Sequence, residues 1–440
     1  MMLQRFKICI TAAACLYAGT LYAQNADSII GNLWQIHNNI KNQSCANGQV
    51  ASNRAMNLFL SDRIGYYLSS YKDMSFYKNN ITFNAADGIF SLTHNLFQPK
   101  GTDEPVKGFM TAGIKTNAAN AFAAGFSKKT YSNELGVTFK KTWISRPVTV
   151  TNNCFDKTYM DVYREQQLQE MTALIKEEEN AFLTSLTSVA TGGSQDSNFK
   201  KAKKEITAAF YKTLQEKYYR HFAEQQYREL AASEKFKTVK LHWTSFAMYL
   251  PVIWQRYTVA GSLAASTESK KTFPFELSLG HTRFWESKKY GRLQLTLEAA
   301  ALLKNNLERR GIEALSYQEY KNAGGADSLL MYERRINSIY VGEFKNRVTP
   351  AVTFSFVYFP HESHIGISGS LVQSFGGFRS MNATLGIPVV LIDKTTAPAA
   401  DFEFKVHYFD LRHTAFPGKK LIDNLSVSVN VGVPFSKIIY

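Results

Sequence analysis

The chain has 440 residues, of which 45% are hydrophobic and 13% aromatic, and its formal net charge is +15. Its mean hydropathy is -0.23, and beyond the N-terminus no run of about 18 apolar residues occurs, which excludes a bundle of spanning helices. Membrane strands escape that test, because each lipid-facing residue has polar neighbours in sequence.

Residues 1–23 read as a secretory signal: Arg5 and Lys7 precede an apolar stretch from Ile8 to Ala18, and Leu21-Tyr22-Ala23 offers a cleavage site before Gln24. A lipoprotein-type cut before Cys15 is the weaker alternative, since the usual Leu is missing. Removal of the signal would bring the net charge from +15 to +13. It would also leave Cys45 and Cys154, which an oxidising compartment permits to form a disulfide.

Residues 24–75 carry two helical patterns, Ile29, Ile30, Leu33, Ile36, Ile40 and then Met56, Phe59, Leu60, Ile64, Tyr67. Two short amphipathic helices can pack on a rim, or enter a cavity as a plug. Strands are expected from about Phe76: 81–83, 89–97, 106–115 and 130–144, with turn compositions at Asn84–Gly88 and Asn117–Asn120.

Residues 155–236 change character. Leu168, Met171, Ile175, Phe182 and Leu186 fall at helical spacing, Thr191-Gly192-Gly193-Ser194 interrupts, and Ile206, Phe210, Leu214, Tyr218, Phe222 and Leu230 resume it. The two arms, each on the order of 50–60 Å long as helices, carry net charges of -4 (156–191) and +5 (197–237). Matched lengths and opposite charge predict an antiparallel helical hairpin with a coiled-coil-like seam.

From residue 237 strands return. Leu277 and Leu279 alternate with Glu276 and Ser278, Leu293 to Ala301 with Arg292 to Glu298, and Phe402 to Tyr408 with Glu403 to His407. Residues 304–336 read as a long charged connection. The last strand is the clearest: Leu425, Val427, Val429, Val431, Val433 and Phe435 form one face, and Ser426, Ser428, Asn430, Gly432, Pro434 and Ser436 the other. Taking 237–261 as one strand gives eight strands here and four before the hairpin. Reading Pro251 as a turn gives nine and three. Either count is about twelve, the even number that returns both chain ends to one side. The basic surplus is spread as doublets such as Lys140-Lys141, Lys270-Lys271 and Lys288-Lys289, mostly at expected strand ends, where a solvated rim or anionic lipid headgroups would meet them.

The signal segment, the alternating strands and the closing Val431-Gly432-Val433-Pro434-Phe435 resemble outer-membrane β-barrel proteins of Gram-negative bacteria, of the Bacteroidota type. Tyr440 departs from that pattern, falling out of phase with Phe435. The fold class expected is an all-β transmembrane antiparallel barrel of about twelve strands over 76–440, with the helical hairpin inserted and a short N-terminal helical segment. The polar faces then assign Glu276, Arg292, Glu298, Glu403, Lys405 and His407 as candidate lumen-lining residues.

Two functions fit: a channel or transporter for small solutes, or a non-conducting structural or assembly barrel that binds a periplasmic or surface partner through its hairpin. A secreted soluble β-protein with a helical insert is a third. Expected partners are outer-membrane lipids and lipopolysaccharide, with a protein at the hairpin and no nucleic acid. No catalytic pattern, metal site or cofactor motif is legible. His361-Glu362-Ser363-His364 has the wrong spacing for the His pair of a helical zinc site and sits in an expected turn.

Overall fold

The computed structural model describes residues 25–43, 51–65, 77–84, 89–96, 103, 105–117, 135–152, 157–190, 197–233, 236–252, 254–261, 267–287, 289–306, 315–322, 331–361, 363–392, 398–412 and 424–437. The signal segment, Cys45, Cys154 and Thr191–Ser194 lie outside them. In chain order come helices α1 (Ala26–Lys41) and α2 (Asn53–Gly65), then strands β1 (Tyr77–Asn84), β2 (Ile89–Asn95), β3 (Gly108–Asn117) and β4 (Gly136–Asn152). Helices α3 (Lys157–Ala190) and α4 (Ser197–Ser233) follow, then β5 (Phe236–Pro251), β6 (Gln255–Ala260), β7 (Thr267–Thr272), β8 (Glu276–Ser287) and β9 (Gly291–Asn305). The chain continues with β10 (Leu315–Asn322), β11 (Met331–Val341), β12 (Asn346–Phe359), β13 (Ile367–Ser374), β14 (Ser380–Ile392), β15 (Pro398–Tyr408) and β16 (Leu425–Lys437).

Twelve of these strands close a barrel in the order β1-β2-β3-β4-β5-β8-β9-β12-β13-β14-β15-β16, every neighbour antiparallel. The seam is β1 on β16, with Ile81 opposite Val433 and Phe83 opposite Val431. Closure leaves the barrel no edge strand with unpaired backbone groups. The division is four strands before the hairpin and eight after it, as the eight-plus-four count expects.

Alternation sorts side chains cleanly between the faces. Leu279 (54% exposed), Val427 (67%) and Leu385 (58%) face outward, whereas Ser278, Gly280, Gly386, Ser428 and Asn430 are buried on the inner face. A polar wall inside and an apolar wall outside invert a soluble core. Among the described residues no helix is long and apolar enough to cross a membrane, so a membrane would be crossed by the strands.

Both chain ends of the barrel and the α3–α4 hairpin lie at one mouth, together with the short connection between β8 and β9. The long β5–β8 and β9–β12 connections leave from the opposite mouth. Here the structure corrects the sequence reading. The 237–261 stretch is two strands, because β5 stops at Pro251 and β6 leaves the barrel. The 304–336 connection contains β10 and the start of β11. These join β6 and β7 in a second sheet of order β10-β11-β6-β7, with β11 parallel to β6. Lys140-Lys141 is not at a strand end but within β4, one lysine on each face.

The hairpin differs from a two-helix seam. Helix α1 joins it, so that Ala26, Ile29, Leu33, Ile36 and Ile40 form one core with Leu168, Met171 and Ile175 of α3 and Leu214, Tyr218, Tyr219 and Phe222 of α4. Burying four large aliphatic side chains of α1 contributes on the order of 6–12 kcal/mol before entropy is charged against it. The Asn25 side chain caps α1 by accepting from the Ser28 N–H at 2.8 Å. The antiparallel arrangement of α3 and α4 is fixed by Arg164 with Glu229 (2.9 Å), Lys217 with Glu178 (2.5 Å) and the Phe182–Phe210 stack (centroids 3.9 Å apart).

Candidate functional site

The barrel interior changes character along its axis. Toward the helical mouth its inner face carries an interrupted apolar ring: Ile144 of β4, Val239, Leu241 and Trp243 of β5, Phe284 of β8, Val357 and Phe359 of β12, and Val390 of β14 are all buried, with the buried polar Glu286, Gln294, Arg292 and Asp401 opposite them in register. Into this ring fits α2. Met56, Leu58, Phe59, Leu60 and Ile64 belong to the same continuous core as the ring, together with Ala223 and Leu230 at the barrel end of α4. Of the two N-terminal helices, α2 therefore shares the core of the barrel mouth, and α1 is a third member of the helical bundle.

Helix α2 is held by polar contacts at both ends. Ser52 caps it, its hydroxyl accepting from the Ala55 N–H at 3.2 Å, and the Ser52 N–H donates to the Gln226 side chain of α4 at 2.7 Å. Asp103, from the β2–β3 connection, accepts from the Arg54 N–H (3.1 Å) and the Asn53 amide (3.2 Å). An acid at a helix N-terminus also complements the helix dipole. Burial pushes the Asp103 carboxyl up from its ordinary range, and those donated hydrogen bonds pull it partly back. At the C-terminal end of α2 Arg63 reaches Glu286 of β8 (3.4 Å), beside the β8–β9 turn, and Arg292 of β9 lies 3.8 Å from the same carboxylate. The Arg63 guanidinium also sits over Phe59, 5.0 Å from the ring centroid.

The second constellation lies on the wall made by β13 to β16. Glu403, fully buried, pairs with Lys405 at 2.8 Å and accepts a hydrogen bond from the Ser368 hydroxyl. His407 contacts the Thr384 hydroxyl through Nδ1 (3.1 Å) and the Ser428 hydroxyl through Nε2 (2.7 Å). Gly386 leaves the room this needs: a Cβ there would lie 2.5 Å from Ser368 Oγ and 2.8 Å from Glu403 Oε1. Across the barrel Thr282 and Thr296 share a hydrogen bond at 2.9 Å. Chemically the wall offers a buried ion pair and hydroxyls, groups suited to water and polar solutes.

Each residue named from the sequence thus has a place. Glu403, Lys405 and His407 share one wall. Arg292 belongs to the ion cluster of Arg63 and Glu286 beside the β8–β9 turn at the helical mouth. Glu298 stands half-buried on the inner face beside Gly280, and Glu276 lies near the far end of β8. Arg63, Glu286 and the apolar ring were not singled out. The ring's signal was present, since Val357 and Phe359, and Val239, Leu241 and Trp243, put bulky apolar groups on alternate positions that a wet lumen would fill with polar ones. His361 and His364 lie in the β12–β13 turn at the helical mouth, where burial, and then the Arg292 charge, lower the His364 pKa. Among the described residues no three His, Cys, Asp or Glu side chains are grouped to hold a metal.

No protein-family model and no curated protein matches the chain. Solved structures that align with it include the β domain of the Bordetella autotransporter Brka, at 9% identity over 81% of this chain and 96% of that one, with a TM-score of 0.24. A loop-deletion mutant of OmpT, an outer membrane protein of Vibrio cholerae, aligns at 7% identity over 81% and 96%, with a TM-score of 0.23. The P. putida toluene transporter TodX aligns at 8% identity over 81% and 87%, with a TM-score of 0.18. Overlaps this loose carry no argument, and the architecture rests on this chain's own strand pairing.

Proposed function

We propose that the chain is an integral outer-membrane barrel acting as a gated conduit for small polar solutes, closed at its periplasmic mouth by α2. The observation that supports this reading is the change along the interior, from a polar wall of Glu403, Lys405 and His407 to an interrupted apolar ring that shares one core with a separate helix. A barrel that only anchors something has no need of a polar passage ending in a fitted stopper. The membrane assignment is supported by exposed apolar groups around a closed antiparallel wall. The closing Val431–Phe435 motif and the N-terminal signal pattern point to export into a Gram-negative outer membrane of the Bacteroidota type. With the helical mouth facing the periplasm, the long connections and the second sheet face outward.

In planar bilayers the full-length protein should be silent or nearly so, and removal of residues 51–65 should produce steady conductance. A stopper-less barrel that still shifts on boiling but stays silent would sink the conduit reading.

One observation favours a second reading, a non-conducting barrel that binds a periplasmic protein. Beyond Glu179 and Phe210 the hairpin runs on past the start of α1, with Leu183, Ile206, Lys200, Lys201, Lys203 and Lys204 exposed. Deleting that distal part should abolish capture of a periplasmic partner under this reading, and leave conductance of the stopper-less barrel unchanged under the first.

A further inference from the structure

The outer apolar belt of the barrel has a notch. A belt roughly 25 Å tall takes about 9–11 residues of a tilted strand. Leu293 to Leu303 of β9 and Val348 to Tyr358 of β12 supply it with apolar groups at nearly every outward position. On β5 the outward apolar run is only Phe246, Met248 and Leu250, about half the height required. Toward the helical mouth the same face continues as Thr244, His242 and Lys240. On β8 the outward series is Leu277, Leu279, His281, Arg283 and Trp285.

The two strands pair so that these groups meet: Thr244 opposite His281, His242 opposite Arg283, and Lys240 opposite Trp285. The Thr244 hydroxyl lies 3.1 Å from His281 Nδ1, and the two imidazole rings stand 5.9 Å apart. Lys240 and Arg283 are exposed. No acidic side chain occupies an outward position of β5, β8 or β9 among the described residues.

We propose that this notch holds the phosphate of an anionic phospholipid in the leaflet on the helical side. The proposal rests on the membrane assignment above and adds a site to it. In lipid, uncompensated bases on the outer wall are costly unless an anion meets them. Arg283 and Lys240 would supply the charge, His281 and His242 N–H donors, and Leu279 and Phe246 the contact with the acyl chain. A second copy of the chain is disfavoured as the occupant, because a twofold contact through this patch would set base against base.

The test uses the full chain in an uncharged detergent, following the temperature at which the folded gel band is lost. Phosphatidylglycerol, phosphatidylcholine and inorganic phosphate are titrated separately. Phosphatidylglycerol alone should raise the midpoint of the wild type. Lys240→Leu and Arg283→Leu should each weaken that response about fivefold, and the double variant roughly thirtyfold, with the band shift on boiling retained. Equal responses to phosphatidylglycerol and phosphatidylcholine, an undiminished response in the double variant, or an equal effect of inorganic phosphate would overturn the site. A wild type that shows no heat-shifted band in any lipid would overturn the membrane assignment, and the site with it.

Discussion

The stopper makes the most direct test. Met56, Leu58, Phe59, Leu60 and Ile64 are buried in the core shared with the barrel wall. At about 1.5–3 kcal/mol for each buried side chain, their seat holds α2 by on the order of 10 kcal/mol. Phe59→Ala removes about 3–5 kcal/mol of it. A factor of ten corresponds to about 1.4 kcal/mol, so opening events in planar bilayers should become roughly 10²- to 10⁴-fold more frequent. Adding Leu60→Ala removes a further 2–5 kcal/mol or so, which should carry the barrel into frequent openings. Phe182→Ala is the control: it breaks the stack with Phe210 on the hairpin, outside the barrel cluster, and should leave the trace silent. If the double variant folds, shifts on boiling and stays as closed as the wild type, α2 is not the gate.

Four further outcomes follow from other contacts. Glu286→Gln removes the carboxylate that Arg63 and Arg292 both approach at the C-terminal end of the stopper and should destabilise the closed state by about 1–3 kcal/mol, while replacing Arg63 and Glu286 together with Met should cost clearly less; opening frequency reads both. Gly291 sits at φ +87°, where a Cβ would lie 2.2 Å from the Phe359 carbonyl oxygen, so Gly291→Ala should cost at least about 1–3 kcal/mol in denaturant unfolding. Burial lowers the His37 pKa, against the partial pull of Glu165 at 3.5 Å. The unfolded bundle then binds the proton more readily, so its stability should fall as pH drops from the ordinary histidine value through the lowered one; hydrogen exchange of α1 should show this, and His37→Leu should abolish it. Removing 183–204 should leave α1 and α2 protected from exchange, because among the described residues the contacts of α1 with the hairpin reach as far as Glu179 and Tyr211.

What could be read before any coordinates were known follows from local periodicity. Period two over Leu425–Phe435 and over Leu293–Ala301 states that each strand has an apolar and a polar face, and period 3.6 over Leu168–Leu186 states a helix. Those patterns, with the strand count, gave twelve barrel strands and an inserted hairpin. In the same way Glu403 and Lys405, alternating with Phe402, Phe404 and Val406, mark the polar face of β15.

Periodicity is silent about which apolar face meets which. Two helices of similar pattern have different fates, both packing on the hairpin but only α2 also joining the barrel core, because the strand residues of that core are scattered over β3, β4, β5, β8, β12 and β14 and converge only once the barrel has closed. Likewise, β6, β7, β10 and β11 are short and polar, and stand as strands through pairing with each other across long sequence gaps. His242 and His281 look like ordinary strand residues until register sets them side by side on the outer wall. The sequence by itself determined the elements and their faces. Only the tertiary structure decided what each face touches, because contact between distant segments depends on strand register and barrel closure, which no local pattern encodes.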